Sequence, residues 1–339
     1  MRKFNVEMWG KAISVMPKLN KEEWLELDFI SKWLISTRFA AIIMTVTSVA
    51  ISGLLAGRDG VFNIWLFLLV MIGLVFAHTT NNLLNDYTDY ARGIDKDNYF
   101  REQYGPHPLG RGFMTKQRLL LNAAVNGVIA LTAGIALVFL RGGLVLPLMI
   151  AGAIFVLFYT YPFKYIALGE IIMLATWGPL MVGGGYYVMS GVWSWNAALA
   201  GLAYSLGVTA TLFGKHIDKI KEDKSKGVHT MPVVLGEKTA RYVGLALFLL
   251  QYAVVIYLVA NRYFSVFPVV VLLALPTFFK VLLPMWRHPR PDAPPPEYPE
   301  GAWPLWFVAT AFTYARQWGF LYLAGLVLDM IYQLIFVAG

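Results

Sequence analysis

Nine stretches of predominantly apolar residues divide this chain, and each is long enough to carry an α-helix through a bilayer core of roughly 30 Å. Their approximate limits are 33–56, 62–86, 117–140, 143–162, 166–190, 193–214, 239–260, 263–285 and 305–337. Backbone inside lipid must satisfy its own N–H and C=O groups, so repeated runs of this length predict an all-α, polytopic membrane bundle. The composition agrees, with 58% of 339 residues hydrophobic and only 14% charged. The last run is long for one crossing and holds Arg316, which predicts a tilted or bent span; a hairpin there would make the count ten.

Two parts follow from this layout. Residues 1–32 mix Lys, Glu and Asp with Trp and Leu and predict an amphipathic segment lying on the membrane surface. They show neither the apolar core nor the small-residue cleavage site of a removable signal peptide. Residues 33–339 form the transmembrane domain, with a proline-dense segment from Arg287 to Pro304 read as an extended linker before the last span. With nine spans, 23 of the 28 Lys and Arg residues fall in the N-terminal segment and the loops on one side. That asymmetry predicts a cytoplasmic N-terminus, with the protein integral to the cytoplasmic membrane and its C-terminus outside. The net charge of +8 is then explained by topology and anionic lipid rather than by nucleic acid. Cysteine is absent, which excludes disulfides and thiolate metal chemistry.

Two acidic, polar segments interrupt the apolar pattern, Asn81 to Asp97 after the second run and Lys215 to Thr230 after the sixth. Their four-span separation suggests two related four-helix units whose sites meet at one cavity mouth. In the first segment Asn82, Asn85, Asp86 and Asp89 are spaced i, i+3, i+4 and i+7, which places all four on one helix face. No basic residue compensates them before Arg92, and leaving such groups unpaired at a bilayer edge is costly. Two carboxylates and two carboxamides form an all-oxygen surface suited to Mg²⁺, which takes one or two protein carboxylates together with phosphate oxygens. Asp95 and Asp97 follow Gly93 and are read as loop residues that reach back toward the ion or face water. The second segment offers Asp218 and Glu222 at i, i+4, with Asp223 about 140° from Asp218 on a regular helix. Its five interleaved lysines also fit a solvated, salt-bridged face.

The residues Asn85-Asp86-Tyr87-Thr88-Asp89, with Arg92-Gly93-Ile94-Asp95 behind them, resemble the first Asp-rich motif of the UbiA superfamily of intramembrane prenyltransferases. Gly105 to Thr115, Tyr159 to Glu170 and Asp223 to Gly236 resemble further family segments in the expected order. The likeness runs from about Arg38 to Arg241 and is strongest to the branch that prenylates dihydroxynaphthoate for menaquinone. It departs at the second motif: Gly214, Lys215 and His216 occupy the approach, and aligning Asp223 with the final Asp puts Lys219 in the earlier acidic position. Either a local bulge brings Asp218 into register with Asp223, or Asp218 and Glu222 form the working pair.

The resemblance implies Mg²⁺-dependent transfer of a polyprenyl group from its allylic diphosphate to an aromatic quinone precursor. Asp86, Asp89, Asp218 and Asp223 would be the catalytic carboxylates, and Asn82, Asn85, Asp86, Asp89, Asp218, Glu222 and Asp223 the metal candidates. Lys164, Arg111 and Arg38 would contact the diphosphate, Arg38 having surface snorkelling as its other reading. Tyr159 would donate to a phosphate oxygen or face the prenyl cation. His78 lies one turn deeper on the active face, and His216 is placed as a base on the acceptor side. Prenylation of another acceptor, intramembrane terpene cyclisation and cation transport are the alternatives; transport sites usually lie near the midplane, whereas these motifs lie at span ends.

Overall fold

A computed structural model describes residues 4–95, 107–296, 298–299 and 303–336, so Asp97, Gly105 and parts of the proline-dense linker lie outside the described residues. Three short helices come first: α1 (Val6–Ser14), α2 (Lys21–Glu26) and α3 (Phe29–Ser36). Spans one to four are α4 (Phe39–Arg58), α5 (Ile64–Ala91), α6 (Lys116–Arg141) and α7 (Val145–Phe158). Spans five and six are α8 (Gly169–Ser190) and α9 (Trp195–Asp218). The short helices α10 (Ile220–Ser225) and α11 (Met231–Leu235) precede α12 (Glu237–Ala260), α13 (Phe267–Arg287) and α14 (Phe307–Phe336).

Among the described residues, eight helices are long and apolar enough to cross a membrane, and α7 is a ninth, shorter apolar helix of 14 residues. Among these residues the bundle thus has eight helices of spanning length where nine were expected, and the fourth run corresponds to α7, which at about 21 Å is short of a full crossing by itself. The last span is a single 30-residue helix, not a hairpin.

Lipid gives no hydrophobic drive for one span to prefer another, so close backbone approach and buried polar contacts hold the bundle. Spans five and six meet through glycines: a Cβ at Gly178 would stand 2.9 Å from the Gly201 carbonyl oxygen, so only glycine lets the two backbones come this near. Pro179 lies inside the same stretch, Thr176–Gly183, which adopts the wider π-helical pitch. The sixth span is the most enclosed, with 83% of its apolar window buried against 22% for spans two and three. It is thus the axis of the bundle, and its C-terminal end carries the second acidic segment into the interior.

The N-terminal helices pack on the loop that follows the first acidic segment. The Trp24 ring stacks on Phe113 at 4.9 Å, and its indole N–H donates to the Phe113 carbonyl oxygen at 3.1 Å. Phe4, Val6 and Phe29 remain exposed on this segment.

Candidate active site

Span two continues without a break from its apolar stretch into the first motif, which keeps the predicted stripe on one face. Asn82, Asp86 and Asp89 are buried there and Asn85 is half-buried. Each carboxylate meets a cation delivered by a different element. Arg38 stands at the N-terminus of α4 in the left-handed region, with φ 55° and ψ 50°. That conformation costs a non-glycine residue about 1–3 kcal/mol, and it turns the guanidinium inward to α5 rather than out to the surface. One guanidinium nitrogen, Nη2, donates to the Asn82 carbonyl oxygen at 3.0 Å and to the side-chain oxygens of Asn82 at 3.3 Å and Asn85 at 3.2 Å. The other, Nη1, lies 3.4 Å from Asp86 Oδ1.

Asp89 is held by Lys164, a buried lysine in the tight turn Phe163–Tyr165 between spans four and five. Its Nζ donates to both carboxylate oxygens, at 2.8 and 2.7 Å. The Asn85 amide nitrogen completes the row, donating to Asp89 Oδ2 at 3.2 Å and to the Thr160 hydroxyl at 3.1 Å.

The second segment reaches the same place through a broken helix. Span six ends at Asp218; Lys219, at φ −118° and ψ 24°, leaves helical geometry, and α10 starts afresh. After that break Lys219 Nζ donates to Asp223 Oδ1 at 2.9 Å. Burial by itself would push the Lys219 ammonium down, but the carboxylates of Asp223, Asp89 and Asp95 outweigh it and hold the pKa above the ordinary lysine value. A second tie joins the segments where Lys226 Nζ donates to the Ile94 carbonyl oxygen at 2.7 Å. Asp223 Oδ2 is buried with no hydrogen-bond partner among the described residues.

Three expected site residues are placed outside these acid–cation pairs. Asp218 caps the last span: its Oδ1 accepts from the backbone N–H of Trp306 at 3.2 Å and Phe307 at 3.0 Å, and its Oδ2 from Val308 at 3.0 Å. A carboxylate at the positive end of a 30-residue helix satisfies otherwise orphaned donors, and Arg290 lies 3.8 Å away on the same side. The break at Lys219 thus separates Asp218 from Asp223, and the structure brings Asp223, not Asp218, to the first motif. Glu222 is half-buried on α10 and outside the acid–cation pairs described above. Arg111 is exposed and donates to the Leu19 carbonyl oxygen of the N-terminal segment at 3.2 Å.

The other loop groups have defined roles. His107 Nδ1 accepts from the backbone N–H of Leu109 and Gly110, each at 3.2 Å, which leaves the ring proton on Nε2 to donate to Asp95 at 2.9 Å. Asp95 therefore secures the loop. His78 lies 2.8 Å from the Thr45 hydroxyl and edge-on to Trp177, inside the bundle.

Sequence reasoning gave no role to Glu170, in the first turn of α8. It is buried, its Oε1 stands 2.6 Å from His216 Nδ1, and the Met231 backbone N–H donates to that same oxygen at 3.2 Å. The available signal was a carboxylate opening an apolar span directly after the Tyr-x-Lys turn.

Below this polar rim lies an apolar cavity of about 330 Å³ between spans two, three, four and five. Asn81, His78, Tyr159 and Trp177 line it, and it continues past Gly134 and Gly152 to Val145 and Val188. Tyr159 joins the cavity to the rim: it is buried, lines the cavity, and its carbonyl oxygen accepts from the backbone N–H of Lys164 at 2.9 Å. Among the described residues no three acidic or histidine side chains yet converge as a metal cage. The buried carboxylates are neutralised by cations instead, and their oxygen-only chemistry with the unpartnered Asp223 Oδ2 fits a hard divalent ion.

This chain resembles 1,4-dihydroxy-2-naphthoate octaprenyltransferase of Escherichia coli (strain K12), with 29% identity over 219 residues, 62% of this chain and 70% of that one. It is 26% identical over 287 residues to UbiA prenyltransferase domain-containing protein 1 of Danio rerio, covering 80% and 81%. The apo structure of a UbiA homologue from Aeropyrum pernix K1 shares the fold at a TM-score of 0.61 and 20% identity, over 84% of this chain and 98% of that one. A structure reported for digeranylgeranylglyceryl phosphate synthase gives 0.56 at 15% identity, over 89% and 98%. The model of the UbiA prenyltransferase family matches residues 45–298, three quarters of the chain, and the chain belongs to that family, an enzyme that transfers prenyl groups.

Proposed function

We propose that this protein transfers a polyprenyl group from an allylic diphosphate to a hydroxylated aromatic acceptor of the quinone-precursor type, releasing diphosphate. The observation that carries this reading is the convergence of three buried acid–cation pairs, Asp86 with Arg38, Asp89 with Lys164 and Asp223 with Lys219, above an apolar cavity. Mg²⁺ would be held by Asp86, Asp89 and Asp223 with the side-chain oxygens of Asn82 and Asn85, and when bound it supplies the positive charge that makes diphosphate a leaving group. Arg38, Lys164 and Lys219 then bind and orient the phosphate oxygens, each a charge-assisted donor already in place. The cavity takes the apolar tail and keeps water from the electron-poor allylic carbon. Tyr159 stands where head and tail join and presents its ring and hydroxyl to that carbon.

The naphthoate-type acceptor is favoured by the relative from Escherichia coli, and the acidic rim by its cation-rich loops is assigned to the cytoplasmic face. The N-terminal helices, with Phe4, Val6 and Phe29 outward, are assigned to the membrane surface. Purified protein given a long-chain allylic diphosphate, Mg²⁺ and a panel of hydroxylated naphthoates and benzoates should release diphosphate and yield a prenylated ring. Absence of diphosphate release with every acceptor, together with cation flux in liposomes, would replace this reading with transport.

A further inference from the structure

We propose that Glu170, held by His216, is the base that takes the hydroxyl proton of the aromatic acceptor as its ring carbon attacks the prenyl group. The inference rests on the transferase reading and adds the acceptor side of the site. Glu170 and His216 are buried at 2% and 1% exposure, on the first turn of span five and the last turn of span six. The carboxylate is fixed on one side only. Its Oε1 is engaged by His216 and by the Met231 backbone N–H, whereas its Oε2 is buried with no hydrogen-bond partner among the described residues. A carboxylate oxygen left bare in a buried site is costly, so the arrangement calls for a donor arriving from outside the chain.

The surroundings specify that donor. The Thr230 hydroxyl, next to Met231, is likewise buried without a partner, and the isolated bridge Ile166 to His229 fixes this strand of chain beside the approach to span five. The residue before it, Gly169, lies where an added Cβ would stand 3.4 Å from both the Tyr159 ring and the Lys164 Cα, so Glu170 opens span five beside the tyrosine that lines the cavity and the lysine that holds Asp89. The cavity that Tyr159 lines is walled also by Ile172 and Trp177, which suit a flat aromatic ring. A hydroxylated aromatic ring, donating its O–H to Glu170 Oε2, satisfies both demands.

The step balances without any further reactant. As the C–O bond to diphosphate breaks and its electron pair leaves with the phosphate, a ring carbon supplies the pair that forms the new C–C bond. The hydroxyl proton passes to Glu170 Oε2, and the O–H pair becomes the carbonyl π-bond of a neutral dienone. When the hydrogen on the substituted carbon leaves as H⁺, Glu170 returns its proton to the oxygen and the ring is aromatic again. The net products are prenylated ring, diphosphate and one proton. His216 is a positioning residue here, keeping Oε1 occupied so that Oε2 faces the acceptor.

The test is Glu170→Gln, which keeps shape and an acceptor for His216 and Met231 while removing the base. The expected result is a fall in kcat of about 10²- to 10⁴-fold, with the binding of prenyl diphosphate and Mg²⁺, measured by calorimetry, unchanged. Acceptors carrying electron-withdrawing groups, whose hydroxyls are already more acidic, should recover part of the loss; a merely structural role would not sort acceptors by acidity. Wild-type kcat in the variant, or equal loss across all acceptors, overturns the proposal. If Glu170→Gln does not fold, Glu170→Asp takes its place, with lowered kcat and the same ordering by acidity expected. Failure of the wild-type protein to prenylate any acceptor is a different outcome and refutes the transferase reading itself.

Discussion

Asp86, Asp89 and Asp223 hold the ends of long cationic side chains, whereas Asp218, with Arg290 at 3.8 Å, is held chiefly by three backbone N–H groups of another helix. All four are buried aspartates at or just beyond the end of a span, so exposure does not distinguish them. What differs is the partner. A lysine or arginine on several rotatable bonds can release a carboxylate to a metal ion and turn its own charge to a phosphate; three backbone N–H groups at a helix start cannot follow. On the proposed function, buried acids with mobile cations form the working set, and buried acids bound to backbone are joints.

The sharpest break of that comparison is at the first motif. Asp86→Asn and Asp89→Asn preserve shape but remove charge, and each should reduce prenyl transfer by about 10²- to 10³-fold or more while the circular dichroism of the bundle is retained. Alanine is the poorer choice, because it removes the hydrogen-bond acceptor offered to Arg38 or Lys164 together with the charge and leaves a cavity as well. Substantial turnover in both Asn variants would refute the assignment of the working set.

The second motif then separates its own two aspartates. Asp223→Asn should lower transfer by about 10²-fold with little change in thermal midpoint. Asp218→Ala should do the reverse, leaving kcat within about twofold and costing about 1–2 kcal/mol of stability through the lost cap of the last span. Thermal melting in detergent together with steady-state assay reads both effects, and a swap of the two phenotypes would overturn the placement. Smaller still, Lys219→Gln should raise the KM for prenyl diphosphate about tenfold, the worth of one charge-assisted hydrogen bond of about 1.4 kcal/mol.

The stripe from Asn82 to Asp89 was legible because a continuous helix makes spacing equivalent to direction, and α5 is continuous. Nine apolar runs were legible for the same reason, although α7 is shorter than its run because the chain turns at Thr160 to Tyr165 to deliver Lys164. The register after Asp218 was not legible. It depends on a break at Lys219, where neither proline nor glycine marks the sequence, and on a helix start nearly ninety residues downstream that claims the Asp218 carboxylate. The contact of Arg111 with the Leu19 carbonyl oxygen was not legible, because it joins the N-terminal segment, whose docking no local pattern announces. Glu170 appeared only as part of a family segment, since its meaning lies in which oxygen His216 leaves bare.

The smallest effect comes from applying the same criterion outside the active site. Asp28 is another buried aspartate committed to local structure: its Oδ1 accepts from the N–H groups of Ile30 and Ser31, and its Oδ2 from the Ser31 hydroxyl and the Asn5 N–H. Burial alone would raise its pKa, but the Ser31 hydroxyl and N–H, the Trp9 indole and the Asn5 N–H outweigh it and bring the value down to about 2 from 3.8. A lowered folded-state pKa means that the stabilisation is present above the unfolded value and lost as pH falls through the folded one. Packing of α1 against α3 should therefore be constant from neutral pH to about 4 and weaken only as the pH approaches about 2. Limited proteolysis or hydrogen exchange of residues 4–36 across that range reads the transition, and Asp28→Asn should abolish it with transfer activity at neutral pH kept within about twofold. Early loosening near pH 6 would show that another group, not this aspartate, holds the segment, and a loss of transfer in Asp28→Asn would move it from the joints to the working set.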